Sequence, residues 1–334
     1  MSVIHVTCLR TVGRARNLLA TSVAGGLFLA AVAALFSFNL EAAEGGRMPL
    51  AALWAVSASP VLPVLAALLG MGVWSDERQS GRTAVLLSTA VRERDLVLGK
   101  FAGVLVLVML FAALSLAGTL GTLFFIAPQA VEGLRVLAFL PALLGIFVQA
   151  ILWCAVSVAA SALCARGALA AALSAILTVG LPRGLWKGLM AWSDKGRTAF
   201  GEMPFDAHVL DIASGVVPVG VVMAYLVLAL VLLFVASKLV ASLRLVGRRA
   251  RVLRLTTGLS VFLAGVFSVL VVLLASCLGV TLDIPVSGPS SQLSLRTRDI
   301  LTETGGDVTV TCFLPRKDAR FRSVGRILRL LKRE

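Results

Sequence analysis

Long stretches of this 334-residue chain contain no ionisable side chain. Seven apolar runs lack Asp, Glu, Lys, Arg and His altogether: residues 18–40, 50–74, 101–127, 136–165, 168–181, 213–237 and 255–280. A helix crosses the hydrocarbon core of a bilayer in about 20 residues, a length that every run except the fifth reaches. With 59% hydrophobic and 14% charged residues, the composition excludes a soluble domain and predicts an all-α polytopic membrane protein.

Motifs for nucleotide binding and catalysis are also missing. The chain has no G-x-x-x-x-G-K-[ST], H-E-x-x-H or G-x-S-x-G, so we expect no ATP site and no catalytic residue on it. Its five cysteines form no C-x-x-C pair, and its two histidines lie near no ligand cluster. We therefore predict no metal site and no cofactor on this chain.

The charge-free runs weigh against a carrier driven by an ion gradient. Proton or cation coupling usually needs an ionisable group at membrane depth. Carriers that use backbone carbonyls at broken helices are the exception, so this alternative stays open. Otherwise the energy for any transport must come from a separate protein.

Basic residues are plentiful, with a net charge of +14, and they lie mostly beside the apolar runs. There they orient the spans and contact anionic lipid head groups, so we expect a lipid bilayer as the partner and no nucleic acid. The densest cluster, which we predict to set the topology, consists of Arg244, Arg248, Arg249, Arg251 and Arg254.

A charged segment, residues 75–100, separates the second and third runs. Gln79, Ser80 and Gly81 divide it into two predicted helical pieces. In the second piece, residues 84–87 and Val91 form one apolar side, as in a short helix that docks on a soluble partner. A solvated loop is the alternative interpretation of the same pattern.

This segment resembles the first cytoplasmic loop of the ATP-binding-cassette (ABC) type-2 permeases. The similarity consists of Glu-Arg at 77–78, Gly-Arg-Thr at 81–83, Leu-Leu-Ser at 86–88, Val91 and Gly-Lys at 99–100. The chain departs from the family at Ala90, where proline is usual, and at Arg82, which lies between the Gly and the Thr.

The resemblance implies that this loop is the coupling helix that meets a P-loop ABC ATPase subunit, which would carry ATP and Mg. It assigns the coupling role to eight residues: Glu77, Arg78, Gly81, Arg82, Leu86, Leu87, Gly99 and Lys100. It also implies a second permease copy or a homologous permease.

Charge indicates the topology. If all seven runs cross and the N-terminus is cytoplasmic, fifteen Lys and Arg lie inside and six lie in the outside loops between spans. If the short fifth run did not cross, the basic linker 238–254 would lie outside. We therefore predict that the fifth run is a short span, with a re-entrant course as the alternative.

The predicted order is an amphipathic cytoplasmic or interfacial helix or a basic leader (1–17), a six-span permease domain (18–237), the linker 238–254, a seventh span (255–280) and an extracytoplasmic α/β tail (281–334). In the tail we predict a helix over 295–304, a strand over 307–314 and a basic amphipathic helix over 319–332. Its opening resembles the auxiliary extracytoplasmic domain of gliding-motility-type permeases. The tail is a truncated fusion, a segment completing a domain on an auxiliary subunit, or a basic tail with one surface helix.

The sequence therefore predicts the permease subunit of an ABC transporter in a bacterial inner membrane, with an extracytoplasmic C-terminal tail. The family analogy favours export and leaves the substrate open. The alternatives are a non-transporting membrane anchor of an envelope complex and the ion-coupled carrier.

Overall fold

The computed structural model describes part of the chain and is mostly helical. The described residues are 4, 6–8, 15–42, 49–83, 86, 92–126, 139–180, 204–242, 258, 260, 263, 265–267, 270–271 and 281–283. The elements are α1 Ala15–Ala42, α2 Leu50–Ala58, α3 Leu62–Gly70, α4 Gly72–Gln79, α5 Glu93–Ile126, α6 Leu140–Leu163, α7 Gly167–Ala175, a π-helix Ile176–Gly180, α8 Pro204–Ala213, β1 Val216–Pro218, α9 Val219–Ser242 and β2 Thr281–Asp283.

Four described helices are long and apolar enough to cross a membrane: α1, α5, α6 and α9. The pair formed by α2 and the helical stretch from α3 to α4 counts as a fifth if it is one bent span. The fifth apolar run forms a short helix, Gly167–Val179, as its length predicts. Crossing by this helix and the total of seven spans stay predictions.

The second apolar run is broken where its prolines predict a bend. The break, residues Ser59 to Val61, separates α2 from α3, and the two halves meet at 45°. Proline has no N–H and its ring clashes with the preceding turn, so Pro60 and Pro63 interrupt the helical hydrogen bonds here. The half after the break can therefore point in a different direction from the half before it.

Helix α6 forms the centre of the bundle, with 18 of its 24 residues buried. It packs against α9, α8, α3, α5 and α7. Small side chains allow this close packing: a Cβ on Gly70 of α3 would overlap the side chain of Ser157. Such small-residue contacts are typical of helices that associate inside a membrane.

The sixth apolar run differs from its prediction. The run begins at residue 213, but the spanning helix α9 begins only at Val219. Helix α8 ends in a turn at Gly215, whose φ of +92° favours glycine, and strand β1 follows. Because β1 pairs antiparallel with β2, the first residues of the predicted tail contact the chain just before α9.

Several predicted segments lie outside the described residues. They include the tail helices and strand after residue 283, the basic cluster from Arg244 to Arg254 and most of the predicted seventh span. The domain boundaries proposed from the sequence therefore stay predictions.

Candidate functional site

The candidate site is one end of the helical bundle, which we call the charged end. It comprises α4, residues 80–83, the first two turns of α5 and the C-terminal end of α6 with Arg166. Six of the basic side chains that the structure describes lie at this end: Arg78, Arg82, Arg92, Arg94, Lys100 and Arg166. A seventh, Lys238, lies on the last turns of α9.

A buried ion pair joins α4 to α5. Lys100 contacts the carboxylate of Glu77, and both side chains are about 95% buried. The ammonium group also donates to the Val73 carbonyl (2.8 Å) and lies 3.5 Å from the centre of the Trp74 ring. A buried charge is tolerated when it is paired and its remaining hydrogen bonds are satisfied, as they are here. The pair therefore fixes the start of α5 against α4.

Two neighbouring side chains join α4 to α6. Arg78 donates to the carbonyls of Ala162 and Leu163, and Gln79 donates to the carbonyl of Ala165. The last four carbonyls of a helix have no partner within it, and positive charge is favourable at that end. Arg78 thus caps the end of α6 from a neighbouring helix, and Gln79 bonds the segment that follows α6.

Ser161 holds the junction between α3 and α4. Its hydroxyl accepts from the backbone N–H of Trp74 and donates to the carbonyl of Met71, both at 3.0 Å. We did not predict roles for Ser161 or Trp74 from the sequence. The signal available was Ser157 and Ser161, two serines one helical turn apart in an otherwise apolar run.

Glycine is needed at two positions of the charged segment, for different structural reasons. Gly81 has a φ of +67°, and the turn it makes ends α4, as the predicted division at residues 79–81 requires. Gly99 lies under the N-terminal segment, which is helical at residues 4 and 6–8: a Cβ there would overlap the side chain of Thr7 and touch the carbonyl of Ile4. Gly99 therefore permits close contact between that segment and α5.

The eight residues predicted to couple to a partner differ in how deeply they are buried. Glu77, Gly99 and Lys100 are buried, while Arg78 and Leu86 are partly buried. Gly81 and Arg82 are exposed, as are Arg92 and Arg94 nearby. Leu87 and most of the predicted amphipathic helix lie outside the described residues. Among the described members of this set, the exposed group is the most accessible to a partner, and the buried group connects that surface to the helices.

At the opposite end of the bundle, α8 packs on α2 and α6. His208 lies on α8 and is partly buried. Its Nδ1 is 3.0 Å from the hydroxyl of Tyr225 on α9. This bond links α8 to α9 across the turn at Gly215.

The charged end offers a mechanical linkage between helices. No group of three or more His, Cys, Asp or Glu side chains within the described ranges is placed to hold a metal ion. What the geometry provides is an exposed basic surface connected through buried ionic and backbone contacts to three helices.

Comparison with known proteins adds one finding. The family model for "ABC-2 family transporter protein" matches residues 10–190, which is more than half of the chain and includes the charged end. No curated protein matches the chain.

Proposed function

Since this chain belongs to the ABC-2 family of transporter proteins, we propose that it is the permease subunit that couples ATP hydrolysis on a separate ATPase to substrate movement. The family consists of membrane components without a nucleotide-binding domain of their own, and membership implies an ABC ATPase partner in general. With several helices apolar enough to span, the chain is a multi-pass membrane protein.

The ATPase docks on the exposed part of the charged end, at Arg82, Arg92 and Arg94. Exposed charges of this kind set encounter rate and register more than they set affinity. The less exposed residues behind them carry the motion, because Glu77 and Arg78 belong to α4, the helix that leads directly to Arg82.

The observation that carries this proposal is the double attachment of α4. Lys100 attaches it to α5, Arg78 and Ser161 attach it to α6, and Gln79 attaches it to the segment after α6. A displacement of residues 80–83 cannot move α4 alone, so it moves the adjoining ends of α5 and α6 as well. The break at Ser59 to Val61 allows α2, the first half of the second span, to keep its position while α3 and α4 move.

We place the charged end in the cytoplasm, in a bacterial inner membrane. The positive-inside bias favours this orientation, with the N-terminus on the same side. Pairing of β1 with β2 supports an even number of crossings between residues 218 and 281, which α9 and the seventh apolar run would supply. The basic linker 238–254 is then cytoplasmic and the tail extracytoplasmic.

Further parts of the proposal rest on the family resemblance. They are export as the direction, a second permease copy or homologue, membership of the gliding-motility-type branch, and an auxiliary extracytoplasmic domain that the tail begins. ATP and Mg belong to the ATPase. The path for the substrate would form between the two permease copies.

The test compares Arg82→Glu with Arg135→Glu in the full chain co-purified with its ATPase. Arg135 belongs to the loop that the predicted topology places on the other side of the membrane. We expect Arg82→Glu to slow ATPase association about tenfold, because it reverses a charge in the docking surface, and to lower the hydrolysis rate. Arg135→Glu should leave both unchanged.

Other results would overturn the proposal. Equal effects of both changes, or none, would remove the charged end as the docking surface. Absence of any ATPase in the purified complex would favour the membrane anchor. Transport driven by a pH or sodium gradient without nucleotide would favour the ion-coupled carrier.

A further inference from the structure

The break in the second span is hydrogen-bonded to helices on two sides. On one side, Asn39 of α1 donates to the hydroxyl of Ser57 at 2.9 Å. On the other, the amide nitrogen of Gln149 on α6 donates to the hydroxyl of Ser59 at 3.0 Å. Ser57, Ser59 and Gln149 are 0–1% exposed, so this polar chemistry lies inside the bundle.

Gln149 is only half satisfied. Its amide nitrogen bonds Ser59, but its Oε1 is buried and has no hydrogen-bond partner in the part of the chain that the structure describes. An unsatisfied buried acceptor costs about 1–3 kcal/mol, and buried polar side chains are bonded in the large majority of cases. An unpaired oxygen inside the bundle therefore points to a donor from outside the described residues.

A proline lies in the break, directly after Ser59. In a continuous helix the carbonyl of Val56 would accept from the amide four residues later, but that residue is Pro60, which has no N–H. Gln149 reaches this point through its bond to Ser59, and its Oε1 is the acceptor left without a donor among the described residues. The chemistry missing at this place is a hydrogen-bond donor.

We propose that Gln149, Ser59 and the break in the second span form a buried binding site for one neutral hydroxyl group. The hydroxyl donates to Oε1 of Gln149 and belongs either to a water molecule or to an alcohol group of a bound molecule. Both sources offer the same O–H donor to the same oxygen.

The charge of the surrounding residues argues against a bound cation at this site. No Asp or Glu is present in the apolar runs that contain Ser59 and Gln149, so a cation would enter without a compensating charge. An ion without a partner at membrane depth is far more costly than a hydroxyl, which needs only its hydrogen bonds. One buried water molecule ordinarily forms hydrogen bonds with two or three polar groups.

Helix α8 packs one helical turn away from the site. A Cβ on Gly145, one turn before Gln149 on α6, would lie 3.4 Å from Ile212 of α8. Helix α8 also packs on α2, the helix that ends at the site. The proposal does not depend on ATPase coupling, because it rests on contacts away from the charged end.

The direct test is a high-resolution electron cryomicroscopy map of the complete chain in lipid nanodiscs. We expect one density feature at hydrogen-bond distance from the Gln149 amide and absent from Gln149→Met. An isolated feature identifies water, and a feature continuous with an apolar body identifies the alcohol of a bound molecule. A dry site, or a protein donor bonded to Oε1, would overturn the proposal.

Stability provides a second measurement. Ser157→Ala is the matched control, because Ser157 is also buried on α6 but, among the described residues, bonds the Cys154 carbonyl of its own helix. Gln149→Met should lower the midpoint of thermal unfolding more than Ser157→Ala does, since it removes the Ser59 bond and the bound hydroxyl. A Gln149→Met variant as stable as the original chain would contradict an occupied site.

Discussion

The second span is attached to its neighbours in two different ways at its two described joints. At the charged end, α4 is bonded through an ammonium, a guanidinium and backbone groups. At the break, Ser57 and Ser59 bond Asn39 and Gln149, which are neutral. Hydrogen bonds to charged groups are about twice as strong as neutral ones. The difference implies a stiff joint at the charged end and a more compliant joint at the break.

The largest effect is expected from breaking the buried ion pair. Lys100→Met leaves the Glu77 carboxylate buried without its cation, which should cost about 3–5 kcal/mol. The midpoint of thermal unfolding in detergent measures the loss. The double change Glu77→Gln with Lys100→Met removes both charges and should recover most of it. If the single and double variants were equally stable, the pair would not hold this joint.

A smaller effect is expected from removing the cap on α6. Arg78→Met deletes the donors to Ala162 and Leu163, and charge-assisted bonds of this kind contribute about 1.5–3 kcal/mol. Arg82→Met, four residues later and exposed, is the control and should stay within about 0.5 kcal/mol. Thermal unfolding of the two variants side by side checks this; an equal loss in both would assign Arg78 a surface role.

Gly99 tests the contact between the N-terminal segment and the stiff joint. Gly99→Ala places a Cβ against Thr7 and should cost about 1–3 kcal/mol or displace the segment. Gly118→Ala on the same helix meets nothing within 4 Å and should be neutral or stabilising by about 0.5–1 kcal/mol. Maleimide labelling of Cys8, followed by mass spectrometry, should rise only in Gly99→Ala.

The compliant joint should give the smallest effect. Asn39→Ala removes one neutral hydrogen bond between α1 and α2, and bonds of this kind in membrane bundles average about 0.6 kcal/mol. Thermal unfolding should therefore change far less than it does in Lys100→Met. A loss as large as that of Lys100→Met would mean that the break is as rigid as the charged end.

Much of the architecture could be predicted because the signals are local. Charge-free runs of about 20 residues predict α1, α5, α6 and α9, and two prolines predict the break. Gly81 predicts the end of α4 because its turn uses a positive φ. The start of α9 was missed because residues 213–218 are as apolar as the helix that follows, and hydropathy alone does not separate a strand from a span.

The roles within the charged end could not be assigned from the sequence. Glu77 and Lys100 are 23 residues apart, and only packing of α4 on α5 shows that they pair and are buried. Ser161 and Gln149 act through contacts about 90 residues away in the chain. The sequence could predict which segment is charged, but the division into exposed and buried residues depends on the neighbouring helices.

The most direct test of the account is photo-crosslinking from the two ends of the bundle. A photoreactive amino acid replaces Arg82, which is exposed at the charged end, or Phe125, which is 85% exposed near the end of α5. In membranes containing the partner ATPase, the account predicts crosslinks to the ATPase from position 82 and none from position 125. Crosslinks from position 125 alone would contradict it.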